Sequence, residues 1–353
     1  MMSNILIEHP DNQVANLRLQ SYSGSNKFPN TRPIKNSQLR VHTVYNRGHY
    51  KEVSWDALLD LSNDDYLRLD AESNKPNPRA GWVLGVEQDG ADYFYQEISA
   101  VVLSKFTEYP RIFNQSQMGP PPGRSGKFVD SVYYWKDTSD NEGRLHHVAL
   151  IGEFKRNVLK PYMWQAGNIE SDNLQVALSR ELRGLAVEYS CPQIFCFDLD
   201  AFRFLQFRAT RESKMSDSDC PVDCWIFRRT ETEFQYPSEP IRYVLYRFII
   251  QGIRRSQSHG YPVATINGVT PKGRLFFNRE PIWQRLNGKV GPGHPLGYRR
   301  AVDESNGALA WQSDNKEWLF NVNGGKVYDS KELWWIESTS SSSEGDVEIY
   351  DAD

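Results

Sequence analysis

Residues 127–156, KFVDSVYYWKDTSDNEGRLHHVALIGEFKR, decide how this chain folds. Two runs rich in aromatic and branched residues, 127–135 and 145–156, are separated by a polar segment with a glycine, which is typical of a β-hairpin. Charged residues interrupt both runs: Asp130 in the first, and Glu153 and Lys155 in the second. Because side chains alternate along a strand, Glu153 and Lys155 share a face. Apolar strands rarely carry such charges without a use, so the hairpin predicts a functional site.

The segments around this hairpin predict a layered fold. Apolar residues recur at spacings of three and four over 95–109 and over 172–189, which predicts two helices. A second hairpin is predicted from the apolar runs 192–198 and 202–209. Residues 91–210 therefore predict the order helix, strand, strand, helix, strand, strand, and an α/β (α+β) class of fold with a mixed central sheet flanked by helices. Outside this core, the sequence predicts a helix over 53–69, a strand over 82–86, a loop over 118–126, a helix over 241–256 and short strands beyond it.

Length and hydropathy exclude some classes of protein. The chain has 353 residues and a mean hydropathy of -0.62. It has no run of about 18 apolar residues, so we expect no membrane-spanning helix and no membrane partner. The first thirty residues lack the basic start and apolar stretch of a secretory signal, which favours an intracellular location, nuclear or cytoplasmic.

Composition also suggests boundaries along the chain. We expect an N-terminal extension over 1–90, a core over 91–210, a basic C-terminal module over 211–337 and a disordered acidic tail over 338–353. The tail contains VEIY flanked by serines and acids, which resembles a segment that binds the protein modifier SUMO. A protein partner bound through this tail is one interpretation. An unstructured tail that screens the basic surface is the other.

The charge of the chain is unevenly distributed. The net charge is -4, yet residues 241–300 contain eleven basic residues and a single acid, Glu280. Such a block predicts a surface that binds DNA or RNA. Arg254 and Arg255 lie near the end of the predicted helix 241–256, where they could contact phosphates or complement the helix dipole. Arg124 and Lys127, in and after the loop MGPPPGRSG, could also reach a phosphate, although a plain connecting loop is the alternative.

The hairpin resembles the core of the PD-(D/E)XK nuclease superfamily, in which a helix and a strand precede an Asp strand, an E-x-K strand, a helix and a further strand. Here Asp130 matches the Asp position, preceded by Val where the family often has Pro, and Glu153-Phe154-Lys155 matches E-x-K. The resemblance covers about 91–210, roughly a third of the chain, and extends to uncharacterised fungal proteins with this core. It implies a restriction-endonuclease-like fold.

The resemblance also implies a reaction. Asp130 and Glu153 would bind Mg²⁺ or Mn²⁺, which polarises the phosphate and activates a water, while Lys155 assists hydrolysis of a phosphodiester bond in DNA or RNA. A catalytically inactive nuclease fold that serves as a scaffold for nucleic acid or protein is the alternative. In that case the three charges form an ordinary cross-strand ion pair.

Family members often add polar residues from the two helices. Glu97 and Gln175 lie at the flank of the apolar face of their helices, so both are candidates for the site. A second interpretation exists for Gln175, because Asp172 to Gln175 has the spacing of a capping box, in which the glutamine bonds the start of its own helix.

The cysteines offer a competing metal site. Their spacing is compatible with zinc, whereas reduced, buried thiols are the ordinary state in an intracellular chain. The four residues are Cys191, Cys196, Cys220 and Cys224.

Overall fold

The computed structural model describes residues 13–14, 28–46, 49–61, 65–66, 83–84, 86–106, 112–120, 126–136, 146–199, 201–228, 241–259, 264–285, 287–303, 305–306 and 308–329. The helices are α1 (Glu87–Tyr93), which continues through a π-helical turn (Phe94–Ser99) into α2 (Ala100–Leu103), then α3 (Pro161–Gln165), α4 (Asn173–Glu188) and α5 (Ile241–His259). Short 3₁₀ turns lie at Asn36–Gln38, Ile169–Ser171 and Glu212–Ser216.

The strands before the first hairpin are β1 (Gln13–Val14), β2 (Leu39–Val41), β3 (Thr43–Asn46), β4 (His49–Val53), β5 (Val83–Leu84) and β6 (Ile112–Met118). The central strands are β7 (Val129–Lys136), β8 (His146–Phe154), β9 (Gln193–Phe197), β10 (Ala201–Phe207) and β11 (Val222–Arg228). The C-terminal strands are β12 (Gly273–Arg274), β13 (Pro281–Gln284), β14 (Val290–Pro292), β15 (Arg299–Val302) and β16 (Leu309–Gln312).

Seven strands form one mixed sheet in the order β2-β11-β10-β9-β8-β7-β6. Strands β6, β7 and β8 form an antiparallel meander, after which α3 and α4 cross over to β9, which pairs parallel to β8. Strand β10 is antiparallel to β9 and to β11, and β2 closes that edge in parallel with β11. The sheet thus confirms the expected mixed α/β architecture. It also includes β2 and β11, which lie outside the predicted core of residues 91–210.

The two faces of the sheet carry different cores. One face is rich in phenylalanine, including Phe154, Phe195 and Phe202, and packs against α1, the π-helical turn and α5. The other face carries smaller residues such as Ile151 and Cys196 and packs against α3 and α4. Every residue of β9 and β10 is buried, because both faces are covered. This is why their sequences are mostly apolar on both faces, with Gln193, Arg203 and Gln206 as buried exceptions.

Helix α5 approaches the sheet backbone at Gly252. A Cβ atom built there would lie 2.0 Å from the carbonyl oxygen of Ala149 in β8. Only a glycine permits this contact, since real Cβ atoms do not come so close to a carbonyl oxygen. The helix confirms the prediction over 241–256.

Several elements differ from expectation. The first helical segment begins at Glu87 rather than near residue 95. Strand β6 was not predicted because IFNQSQM is polar, and the structure places it at the sheet edge with much of its surface exposed. The helix predicted over 53–69 is wrong for residues 54–61, which form turns instead. There, Leu58 is buried in the core and Trp55, Ala57 and Leu61 pack against the same cluster without forming a helix.

The C-terminal region forms a small β module. Strands β12–β14 make one sheet, and β15 and β16 make a hairpin around Ile266, Trp283 and Trp311. No helix in the described part of the chain is long and apolar enough to cross a membrane.

Candidate functional site

The E-x-K residues lie close together under α4. The Nζ atom of Lys155 is 2.5 Å from Oε1 of Glu153 and 3.5 Å from Oε1 of Glu181. Glu153 is fully buried, and Lys155 and Glu181 are 5% and 1% exposed. The sequence predicted the first two residues but missed Glu181. Its position two turns into α4 gave no signal, because a glutamate there is ordinary on a helix surface. The group carries two carboxylates for one ammonium.

Asp130 lies at the point where β7 and β8 separate. The last paired residues at this end are Ser131 and Gly152. Oδ2 of Asp130 accepts a hydrogen bond from the backbone N–H of Phe154 at 2.8 Å. That N–H belongs to the residue between Glu153 and Lys155, so all three residues lie at one end of the hairpin.

A surface cavity opens beside Asp130 on the other side of this junction. Its lining includes Asp130, Phe154 and Tyr95, together with Asp92 and Gln117. Glu153 and Lys155 do not line it. The site therefore has an open part at Asp130 and an enclosed part under α4.

Two tyrosines near these carboxyl groups, Tyr95 and Tyr189, have raised pKa values. The hydroxyl of Tyr95 donates to the carbonyl oxygen of Asp130 at 2.9 Å. Burial raises the pKa of Tyr95 to about 12, and the negative charge of Asp130 adds to the effect. Burial likewise raises the pKa of Tyr189 to about 12, with further contributions from Glu188, Glu153 and Asp130. Burial is therefore the main cause of both shifts, and the nearby carboxylates add a smaller effect of the same sign.

Gln175 supports the segment that follows Lys155. Its Oε1 accepts from Nε1 of Trp164 at 2.8 Å and from the N–H of Lys160 at 3.2 Å, and its Nε2 donates to the carbonyl of Val158 at 2.8 Å. Asp172 caps α4 by accepting from backbone N–H groups, which is the only half of the proposed capping box that the described residues contain. The side chain of Gln175 bonds other residues than the helix start, so its role is to position residues 158–164.

Glu97 lies in the π-helical turn and is 7% exposed. Its carbonyl oxygen accepts from Nε of Arg242 at 2.6 Å, which places it beside the start of α5. The contact from this turn to Asp130 comes from Tyr95 instead.

Arg203 is a further buried residue that the sequence reasoning missed. It follows Glu153 and Cys196 across the sheet, since Glu153 pairs with Cys196 in β9 and Cys196 pairs with Arg203 in β10. Its guanidinium lies 3.5 Å from the centre of the Trp164 ring. Burial lowers the pKa of Arg203. In sequence, FRFLQFR gave only an arginine in an apolar strand, a signal of the same kind as the E-x-K alternation.

The expectation that Arg254 and Arg255 bind nucleic acid needs correction. Arg254 is 1% exposed and pairs with Asp65 at 2.6 Å. Arg255 is 5% exposed and donates to the carbonyl of Val148 at 2.6 Å. Both hold α5 in the interior, because apolar neighbours on the helix carry them inward. They do not form a phosphate-binding surface.

The other predicted phosphate ligands lie near the loop before β7. Lys127 is exposed, and its backbone N–H donates to Oε2 of Glu188 at 3.4 Å. Arg124 lies outside the described residues. Within 241–300, exposed cations remain at Lys272, Arg285, Lys289 and Arg299.

All four cysteines are buried free thiols, and burial raises their pKa values. The described residues contain no cluster of three or more His, Cys, Asp or Glu side chains arranged to hold a metal. No family model, curated protein or solved structure matches the chain.

Proposed function

We propose that this protein has a restriction-endonuclease-like core and hydrolyses phosphodiester bonds of DNA or RNA where β7 and β8 separate. The observation that carries the proposal is the hydrogen bond from the N–H of Phe154 to Asp130, because it brings the aspartate to the centre of the E-x-K tripeptide. The strand order supports it further. Five consecutive strands, β6 to β10, lie side by side, and the second and fifth are antiparallel to the others.

The donor atoms suit a hard divalent cation. Asp130 and Glu153 offer carboxyl oxygens on adjacent strands, and Glu181 adds a second acidic side chain beside Lys155. Mg²⁺ commonly takes one or two carboxylates and keeps several waters, so it does not require a cluster of three protein ligands. Asp130 and Glu153 would hold Mg²⁺ or Mn²⁺, whose chemistry when bound is to polarise the phosphate.

The chain's own residues divide the remaining tasks. Lys155 lies in the enclosed part under α4, where its ammonium is held between two carboxylates, so it would act on the charge at Asp130 and Glu153 rather than touch the phosphate in the open cavity. Gln175 fixes the segment 158–164 that continues from Lys155. Lys127, exposed beside the start of β7, supplies a contact for the nucleic-acid backbone.

The test is incubation of the full chain with labelled single- and double-stranded DNA and RNA, in Mg²⁺, in Mn²⁺ and in EDTA. We expect metal-dependent cleavage that Asp130→Asn and Lys155→Met each reduce by at least about 100-fold, the usual scale for loss of a group that acts on the transition state. Asp219→Asn and Lys214→Met change exposed residues of the same types and should leave the rate unchanged. Cleavage in EDTA, or full activity of Asp130→Asn, would refute the proposal.

A second candidate function is binding without hydrolysis. The observation that favours it is the complete burial of Glu153 and its direct pairing with Lys155, an arrangement in which the two charges satisfy each other. If it is correct, labelled nucleic acid binds but remains intact in both metals. Binding then weakens in Lys127→Ala and is unaffected by Asp130→Asn.

A further inference from the structure

Phe128 is an exposed aromatic residue two positions before Asp130. It immediately precedes β7, and 63% of its surface is accessible to solvent. A single exposed phenylalanine is ordinary on a protein surface, so its surroundings decide whether it has a use. Side chains alternate along an extended chain, and Val129 is buried in the core beneath α3 and α4. Phe128 and Asp130 therefore share the opposite side of the chain.

The ring of Phe128 is held in place without being covered. Met118 pairs with Val129 across β6 and β7, which brings Gly119 next to Phe128. A Cβ atom built on Gly119 would lie 3.5 Å from Cε1 and 3.7 Å from Cζ of the ring, an ordinary contact distance. The ring thus lies over a residue that has no side chain to cover it. One part of the ring contacts the protein, and the rest faces solvent.

An exposed ammonium group neighbours this ring. The side chain of Lys127 is exposed, while its backbone is fixed at both polar groups. Its N–H donates to Oε2 of Glu188 at 3.4 Å, and its carbonyl oxygen accepts from the hydroxyl of Tyr189 at 3.1 Å. Proteins that bind single-stranded nucleic acid combine these two features, because the ring stacks on a base and the cation neutralises a phosphate.

The cavity at Asp130 is small and acidic. Its volume is about 290 Å³, at the lower end of the range for pockets that hold one small organic molecule. Three acidic residues, Glu87, Asp92 and Asp130, belong to its lining, and none of the described lining residues is a lysine or an arginine. Carboxylates accept hydrogen bonds from the amino groups on base edges. The cavity therefore suits one unpaired base, with the phosphate backbone toward Lys127.

We propose that Phe128 is a stacking platform for a base of a single-stranded nucleic acid that passes Lys127 toward the cavity at Asp130. This inference rests on the proposed function and names its substrate as single-stranded DNA or RNA. In a duplex the bases stack on each other, so a base reaches a protein ring only after costly unpairing and unstacking. A single strand presents the faces of its bases without that cost.

The test is fluorescence anisotropy of the full chain with labelled single strands of DNA and of RNA, and with the DNA duplex of the same sequence. EDTA keeps every strand intact. We expect the single strands to bind more tightly than the duplex. Phe128→Ala should weaken their binding about tenfold, the scale of one lost base–aromatic stack. Phe128→Trp, which keeps an aromatic face, should bind at least as tightly as the original chain.

Two further variants separate stacking from other effects. Phe128→Leu keeps an apolar side chain and removes the ring, so it should bind as weakly as Phe128→Ala. Phe320→Ala changes a phenylalanine of the C-terminal module that is 55% exposed, and it should bind as the original chain does. Unchanged single-strand binding by Phe128→Leu, or tighter binding of the duplex than of both single strands, would overturn the inference.

Cleavage in Mg²⁺ and in Mn²⁺ tests the proposed function separately. Binding that depends on Phe128 without any cleavage would refute hydrolysis and retain the stacking platform. Cleavage and binding that are both unchanged in Phe128→Ala would refute the platform and retain hydrolysis. If neither DNA nor RNA binds, both are wrong.

Discussion

Arg254 and Asp65 form an ion pair in the interior of the protein, with Nη2 and Oδ2 2.6 Å apart and both side chains nearly inaccessible to water. Arg254 also donates to the carbonyl of Asp60. The pair joins α5 to the chain that precedes α1. A positive residue in the most basic stretch of the sequence thus serves the fold, and its charge is already balanced within the protein.

Replacement of Arg254 by alanine should lower the free energy of unfolding by about 3–5 kcal/mol, because Asp65 would remain buried without its partner. Urea denaturation measures this change. Arg285→Ala, at an exposed position, should change stability by less than about 0.5 kcal/mol. A stable Arg254→Ala protein that binds nucleic acid more weakly would instead place this arginine on a binding surface.

The contact between Gly252 and Ala149 predicts that Gly252→Ala changes stability in the opposite direction to most glycine-to-alanine changes in helices. Glycine to alanine inside a helix normally stabilises a protein by about 1 kcal/mol. Here the new Cβ would overlap the carbonyl oxygen of Ala149, so we expect Gly252→Ala to destabilise by at least about 2 kcal/mol. Gly291→Ala adds a Cβ with no atom within 4 Å and should be nearly neutral. A thermal melt in which Gly252→Ala gains stability would show that α5 does not pack on β8 at this distance.

Gln175→Leu tests the support of the segment after Lys155. The change leaves the indole N–H of Trp164 and the N–H of Lys160 without their acceptor, and we expect a loss of about 1–3 kcal/mol by urea denaturation. Gln175→Glu can still accept from both groups and should recover part of this loss. Equal stability of the leucine and glutamate variants would contradict the positioning role.

The cap of α4 should give a pH-dependent contribution. The hydrogen bond from Lys160, together with those from the N–H groups of Leu174 and Gln175, lowers the pKa of Asp172. A carboxyl group whose pKa is lowered by folding stabilises the protein above its unfolded pKa, and that stability is lost as the pH falls through the folded pKa. Asp172→Ala should therefore cost about 1 kcal/mol at pH 7 and progressively less below about pH 4. Asp172→Asn, which keeps a capping oxygen, should lose less stability at pH 7. If the difference in stability between Asp172→Ala and the original protein does not change with pH, the ionised form of Asp172 does not contribute to the cap.

The thiols should be unreactive in the native protein. Burial raises the pKa of Cys196 and Cys224 to about 12 and that of Cys220 to about 11, so little thiolate exists at neutral pH. Because the thiolate is the reactive species, we expect negligible reaction with a thiol reagent at pH 7 until denaturant is added, and then four reactive groups per chain. Rapid reaction of any cysteine in the native state would contradict its burial.

Sequence periodicity predicted the central elements because their residues obey simple rules. The apolar face of α4 and the mostly apolar strands β9 and β10 follow directly from which surfaces are covered. Edge strand β6 was not predicted because many of its side chains face solvent and its sequence is therefore polar. The turns at 54–61 were misassigned because core side chains in irregular structure can have helical spacing.

Asp130, Glu153 and Lys155 stand out in the sequence because charge interrupts an apolar strand there. Gln175 was a candidate because it flanks the apolar face of its helix. Its bonding partners, and the position of Glu181, depend on how α4 is rotated above the sheet, which sequence spacing alone leaves open. Arg254 and Arg255 were misplaced because a charge count takes every arginine to be at the surface, whereas long side chains can enter the interior when a carboxylate or carbonyl receives them.

The phenylalanine-rich face of the sheet has a consequence for synthesis. Its strands are complete at Arg228, the end of β11, yet the helix that covers them ends at His259. At about 5–20 residues per second, a ribosome needs roughly 2–6 s to make the intervening chain. For that interval the nascent protein presents an uncovered aromatic surface, and chaperones that bind such surfaces have time to act on it. Yield in the cell should therefore depend on translation speed between these two residues more than on speed anywhere within the strands.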